Sequence, residues 1–439
     1  MNEVTESKTV KRPRFFYGWI IVAVSALANT VVFGAGGASF SVFMGPMSAS
    51  LNWSRTVLTG AVTLQSFTNL VISPVTGRLL DRYGPRLIMV FGTTVACVSY
   101  LLLGKVMEPW QFYFLYTTGF ALGLNELGGL VTTVAVSKWF IRRRGRALAF
   151  SSLGNQVGVI VIVPITAYLI ATIGWRDAWA LLGAGVAISV LLPTIAFMRR
   201  TPEDMGLLPD GDEPEAVTYA ADGTKNASKR PAEPKWTPRQ ALRTPTLWLI
   251  IISTNLASLT FGSLLYHLVP YFTDIGLDLA EAGFVYALLN VGAIFSKIGW
   301  GLISEHVPVR YCLMGTYLGR MAGLLVLLLS RSPNRPYLYA LIAGPLSHSI
   351  GPLQAQIWAD YYGRAFLGTL RGIIAPFSLL TSVFGPLFAA QAFDRTGSYE
   401  GAFWFFVVGL LLATTVTFFA VPPGPAPEEV DSTEQQAVK

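Results

Sequence analysis

Lys297 is the only ionisable side chain in the stretch Ala282 to Ile303, AGFVYALLNVGAIFSKIGWGLI. A lone ammonium in so apolar a run is costly and calls for a partner or a task. The carboxylate of a small organic anion would supply both. The alternative is a lysine whose stem carries its charge to the aqueous end of the segment. Ile303 lies six residues away, about 9 Å at 1.5 Å per residue. Asn290, seven residues before Lys297, falls two turns away on about the same helix face. It either extends the polar track or makes a helix-packing hydrogen bond.

Three further groups could carry chemistry. Glu126, beside Asn125 in GFALGLNELGGLV, is a carboxylate placed near the middle of an apolar segment. Such a group suits proton uptake and release, or it is a structural Glu bonded to a neighbouring helix. His348 can change charge near neutral pH, against which stands the reading of a neutral hydrogen-bonding group. Arg320, in the middle of another apolar segment, reads as a helix-pair contact or a snorkelling side chain. The cluster Arg142, Arg143, Arg144 and Arg146 reads as a set of anchors at anionic lipid.

The segments that position these residues are hydrophobic throughout. Of 439 residues, 52% are hydrophobic and 13% charged, against about 25% charged in soluble domains. A bilayer-spanning helix needs ~20 apolar residues, and twelve such windows fit between Tyr17 and Val421. They lie at 17–47, 56–80, 86–106, 110–138, 147–173, 178–198, 246–273, 282–303, 311–331, 337–360, 368–393 and 400–421. The expected fold class is an all-α membrane protein of twelve transmembrane helices in two pseudo-symmetric six-helix bundles. Its parts are an N-terminal tail (1–15), a first bundle (16–198), a linker (199–245), a second bundle (246–422) and a C-terminal tail (423–439). The linker is rich in Pro, Asp, Glu and Lys and is expected to be mostly disordered, with a short interfacial helix near Pro238 to Leu242.

The net charge of +7 is spread among loops and not gathered on one face, which argues against a nucleic-acid partner. With twelve spans, 24 of the 32 Lys and Arg fall on the side shared by both termini, and six on the other. That bias puts both termini in the cytoplasm and the chain in the cell inner (plasma) membrane. The first apolar run continues beyond twenty residues with no small-residue cleavage pattern, so it reads as a span and not a removable signal. Cys97 and Cys312 fall in or at the edge of spans and support neither a disulfide framework nor a metal cluster.

An offset of 224 residues superposes the two halves. Gly77, Asp81 and Arg86 in GRLLDRYGPR fall on Gly301, Glu305 and Arg310 in GLISEHVPVR, and Pro46 falls on Pro270. Six spans separate the copies, so both halves enter the membrane from the same side and enclose a central site.

The GRLLDRYGPR stretch resembles the signature of the major facilitator superfamily, with Gly77, Asp81, Arg82, Gly84 and Arg86 in the expected places and Pro85 where a basic residue is common. The stretches FYGW (16–19), SKWFIRRRGRALAFSSLGNQVG (137–158), GWRDAW (174–179), YYGRAFLGTLRG (361–372) and FGPLFAAQAFDRTGSY (384–399) resemble its monocarboxylate transporter and oxalate/formate antiporter branch. The resemblance implies that Lys297 binds a substrate carboxylate and that Asp81 belongs to a conformational gate. The gate carboxylate would contact basic groups or a helix N-terminus when the inner side is closed. The acidic partner that animal monocarboxylate transporters carry one turn before the basic residue is Ala293 here, and the second cation of a dicarboxylate exchanger is Ser378. One central positive charge suits one carboxylate.

The expected function is secondary active transport of a small monocarboxylate, lactate-like or a 2-oxo acid, by alternating access, with proton coupling or anion exchange. Lys297, Asn290, Asn125 and His348 are the candidate substrate-binding residues, and Glu126 and His348 the candidates for the proton. Transport of amphipathic drugs or another organic solute by the same fold is the alternative, followed by a transport-inactive membrane sensor. No constellation for catalysis, a cofactor or a metal is present in the sequence, and an enzyme is not expected. Besides the anion and a proton, membrane lipid is the expected partner, and the chain is expected to act as a monomer.

Overall fold

The structure, a computed structural model, describes residues 15–124, 127–212, 218–219, 225–226, 234 and 236–424. Apolar runs become helices because no other form satisfies its own backbone groups across hydrocarbon. Span 1 is α1 (Gly18–Val31), a π-helical turn (Val32–Ala38) and α2 (Ser39–Leu51). Spans 2 and 3 are α3 (Arg55–Tyr83) and α4 (Pro85–Leu103). Span 4 contains α5 (Pro109–Thr117), a π-helical turn (Thr118–Gly123) and α6 (Gly129–Trp139). The long α7 (Arg144–Val186) continues through a π-helical turn (Ala187–Leu191) into α8 (Leu192–Phe197). Gly174, at φ 83°, breaks α7 into spans 5 and 6, a backbone shape that side chains disfavour.

The second half begins after the short α9 (Pro238–Leu242), which lies where the sequence places an interfacial helix. It contains α10 (Pro245–Asp274), α11 (Leu279–Ile303), α12 (Val309–Leu329), the broken pair α13 (Arg335–Ser347) and α14 (Ile350–Tyr362), α15 (Leu367–Thr396) and α16 (Glu400–Phe419). Among the described residues seven helical runs are long and apolar enough to cross a membrane by length and composition alone, and one of these is the doubled run Arg144–Phe197. The more polar α3 and α15 and the interrupted α5–α6 and α13–α14 complete the twelve.

Within the first half α1 and α4 pack on α7, and within the second α10 packs on α15 and α16 while α13 packs on α11 and α12. The halves meet along two seams, α3 with α15 and α7 with α11. Tyr17 Oη donates to the Phe197 carbonyl at 2.8 Å and Thr246 Oγ1 to the Val421 carbonyl at 2.9 Å. These bonds put the beginning and end of each half on one face, called the terminal face below.

The linker departs from the sequence expectation over its first third. Asp210, 7% exposed, accepts the backbone N–H groups of Ile141, Arg142 and Arg143 at 3.0, 2.8 and 3.1 Å, which fastens 199–212 to the turn between α6 and α7. A carboxylate taking three amide donors is a strong local anchor, and hydrophobicity counts cannot reveal it. Thr218–Tyr219 pairs antiparallel with Lys225–Asn226. Trp236, buried, donates its backbone N–H to the Tyr362 carbonyl at 3.4 Å. Residues 213–217, 220–224, 227–233 and 235, the first fourteen residues and the tail beyond Gly424 lie outside the described residues.

Candidate functional site

The helix α11 meets the α13–α14 break through Ser296 and Trp300, and the first half through Lys297 and Gly301. Ser296 Oγ accepts the His348 backbone N–H at 3.1 Å and lies 3.1 Å from Ser349 Oγ, at the break between α13 and α14. Trp300 Nε1 donates to the Leu346 carbonyl at 2.8 Å, and Arg320 Nη2 to the Ser347 carbonyl at 2.8 Å. These bonds satisfy carbonyls that the end of α13 leaves without helical donors. Gly301 lies against Gly145 and Ala149 of α7, where an added Cβ would stand 2.6 Å from Ala149 Cβ.

Lys297 points across the same seam. It is 4% exposed, and its Nζ donates to the Ser152 carbonyl at 2.8 Å and to Gln156 Oε1 at 2.7 Å. Since α7 leaves the terminal face at Arg144, Ser152 and Gln156 lie progressively farther from that face. The ammonium is therefore carried into the other half and away from the terminal end of α11, opposite to the direction of a snorkelling lysine. Among the described residues no carboxylate neutralises it. Both acceptors are neutral oxygens, which a carboxylate could replace with a charge-assisted bond.

The other candidates are placed unequally. Asn290 Nδ2 donates to the Tyr286 carbonyl of its own helix at 2.8 Å, so its amide group is not joined to Lys297. His348 sits at the α13–α14 break with Nδ1 3.3 Å from the Ala343 and Gly344 carbonyls and from Ser347 Oγ. Asn125 and Glu126 lie outside the described residues. Gln156 and Ser152 are site residues that the sequence reading does not single out. The available signal is the polar pair Asn155 and Gln156 within the apolar span 147–173.

Toward the terminal face both seams close on glycine. An alanine Cβ at Gly77 would lie 2.2 Å from the Gly368 carbonyl oxygen, and one at Gly145 would lie 2.5 Å from the Gly301 carbonyl oxygen. Asp81 accepts the Gly368 and Thr369 backbone N–H groups at 3.1 and 2.6 Å, at the first turn of α15, and Lys138 Nζ stands 3.5 Å from its Oδ1. The helix N-terminus and the ammonium both attract the side chain of Asp81. Glu305, the repeat counterpart of Asp81, pairs with Arg146 Nε at 3.0 Å in the other seam.

The structure corrects the lipid-anchor reading of the arginine cluster. Arg144 is 2% exposed and pairs with Asp360 of α14 at 2.6 Å, and Arg146 reaches Glu305. Both join the halves, because the start of α7 packs inward under α11 and α14. Arg142 contacts Asp212 of the linker, and Arg143 is exposed. Of the remaining signature residues, exposed Arg82 lies over the Tyr83 ring, Gly84 ends α3 at φ 81°, and Arg86 Nη2 donates to the Ile195 carbonyl at 2.7 Å. Arg82 and Arg86 thus make these contacts within the first half. Arg371 bonds Thr133 across the halves, toward the terminal face as its place at the start of α15 suggests.

Comparison with known proteins places this architecture. The family model described as Major Facilitator Superfamily matches residues 19–351. The chain is 23% identical over 417 residues to the oxalate:formate antiporter of Oxalobacter formigenes, covering 93% of this chain and 92% of that protein. It is 22% identical to the agnestins efflux protein AgnL12 of Paecilomyces divaricatus, over 79% of this chain and 73% of the relative. The crystal structure of the transporter FucP in the outward conformation superposes with a TM-score of 0.70 at 11% identity, covering 93% of this chain and 100% of that one.

Proposed function

Because this chain belongs to the Major Facilitator Superfamily, we propose that it is a secondary active transporter that carries a small monocarboxylate by alternating access. It is a multi-pass membrane transporter and not an enzyme, and the carried solute is the step that this reading adds. One observation carries it: the buried Lys297 ammonium, held at the interface of the halves by two neutral oxygens and by no carboxylate among the described residues. A bound monocarboxylate would supply the missing unit of negative charge. Ser152 and Gln156 lie beside it as further polar contacts. Similarity to an antiporter named for oxalate and formate supports an organic anion as the cargo.

Alternating access follows from the seams. With Asp81 on the first turn of α15 and Arg144 on Asp360, the terminal face is closed, and the carried anion reaches Lys297 from the opposite face. Release toward the terminal face requires these contacts to part while the contacts of α11 with α13 and α14 stay together. The terminal face is the cytoplasmic one in this reading, given the distribution of Lys and Arg in the inner membrane. Proton coupling is assigned to Glu126 or His348 or to the substrate itself, with exchange for a second anion as the other mode. A single chain suffices for the cycle.

The test is uptake into proteoliposomes of labelled monocarboxylates, dicarboxylates and cationic drugs at two pH values. Selective, saturable transport of a monocarboxylate that is lost in Lys297→Gln supports the assignment. Transport of a drug that survives Lys297→Gln replaces it with the efflux reading, which the similarity to AgnL12 favours.

A further inference from the structure

Apart from the central site, the terminal face holds a cavity of about 300 Å3 lined by Lys138, Arg200, Thr201, Glu203, Pro234 and Arg364. Its walls come from the end of α6, both ends of the linker and the turn between α14 and α15, so it straddles the two halves. Three cations meet two carboxylates there. Both carboxylates are already engaged: Asp81 by the first amides of α15 at 3.1 and 2.6 Å, Glu203 by Arg364 Nη2 at 2.5 Å.

Lys138 and Arg200 keep donors in reserve, and Arg364 adds its charge from the other half. Lys138 is 5% exposed, yet its ammonium reaches Asp81 only at 3.5 Å, the outer limit of a hydrogen bond. An ammonium has three donors, and burial without good acceptors is costly. Arg200 commits Nη2 to the Asp81 carbonyl at 2.7 Å, and Arg364 commits Nη1 to the Lys138 carbonyl at 2.6 Å. The Arg200 guanidinium has five N–H donors in a fork that matches an oxyanion.

We infer that this cavity binds an anion of the phosphate class, held by Lys138 and Arg200 from one side and Arg364 from the other. Three cations converging from separate chain segments suit the several oxygens of a phosphate better than the two of one carboxylate. Since the walls belong to both halves, the bound anion bridges them. It binds the arrangement closed at the terminal face and shifts the population toward it. Free phosphate and the phosphate of a lipid headgroup share this chemistry. None of these residues contacts Lys297, so the site is separate from the one proposed for the carried anion.

The experiment uses the purified full chain in detergent and measures thermal unfolding while inorganic phosphate is titrated against chloride at matched ionic strength. The expected result is a saturable rise in Tm with phosphate alone. Arg200→Gln and Arg364→Gln each raise the half-saturating phosphate concentration about tenfold, and Lys297→Gln leaves it unchanged. Arg200 is exposed, so its variant reports even if Arg364→Gln fails to fold. Repeating the titration in phosphatidylcholine nanodiscs with and without phosphatidic acid separates the sources. Competition by phosphatidic acid assigns the site to a headgroup, and its absence assigns it to the free ion. Equal stabilisation by chloride, or a phosphate response unchanged in Arg200→Gln, overturns the inference. Loss of the response in Lys297→Gln overturns it too, because that result places the phosphate in the central site.

Discussion

Lys297 Nζ lies 2.7 Å from Gln156 Oε1, a bond from the second half of the protein into the first. With the Ser152 carbonyl at 2.8 Å, it gives the ammonium two acceptors that belong to α7 in the other half. In the proposed cycle an anion that replaces either acceptor would change what holds α7 and α11 together, so binding and rearrangement would meet at one atom.

Replacing Lys297 with glutamine removes the charge and keeps a polar side chain of similar reach. Carboxylate uptake in proteoliposomes is expected to fall by about 100-fold or more, the scale of a lost buried charge-assisted bond. Expression and Tm are expected to stay near wild type. Unchanged uptake would reduce Lys297 to a tie between the halves.

Gln156→Glu places a carboxylate where the neutral oxygen stands and gives Lys297 an internal counter-charge. The concentration for half-maximal uptake should rise about tenfold, with maximal rate less affected. Lowering the pH through the titration of the introduced carboxyl restores affinity, since the neutral acid no longer competes. Gln156→Leu should show a smaller loss with no such pH dependence, and identical profiles for the two variants would argue against competition at Lys297.

Asp81→Asn keeps the shape of the side chain but loses the charge at the first turn of α15. Loss of a capping carboxylate costs about 1 kcal/mol, a roughly fivefold shift toward the arrangement open at the terminal face. Labelling rates of cysteines introduced along the α3–α15 seam would read it, and unaltered rates would sink the gate role.

Gly77→Ala tests the seam by volume. Its Cβ would meet the Gly368 carbonyl oxygen at 2.2 Å, both in backbone-bearing helices, so the closed seam cannot form unchanged. Seam cysteines are expected to label faster, with transport strongly reduced. Wild-type labelling and transport together would show that the seam has room.

Arg144→Gln and Arg143→Gln separate the buried arginine from the exposed one. Loss of Arg144 removes the bonds it donates to the Phe140 and Ser137 carbonyls and to the Asp360 carboxylate. A fall in Tm and faster seam labelling are expected there, while Arg143→Gln should match wild type. Equal behaviour of the two would return the cluster to lipid anchoring.

The amino-acid sequence alone determined the twelve-span, two-half architecture and the equivalence of Gly77 with Gly301 and Asp81 with Glu305. Those features depend on apolar length and on repetition along one chain, and both are local or periodic properties. It also isolated Lys297, because a charge without neighbours of its kind is visible in a linear string. Only the tertiary structure decided what Lys297 touches, that Asn290 turns back to its own helix, and that Arg144 and Arg146 join the halves. These outcomes depend on the register of α7 against α11 and α14. Against α11 the register is set by close glycine contacts, Gly145 with Gly301, between segments far apart in the chain, and no spacing within either segment encodes it.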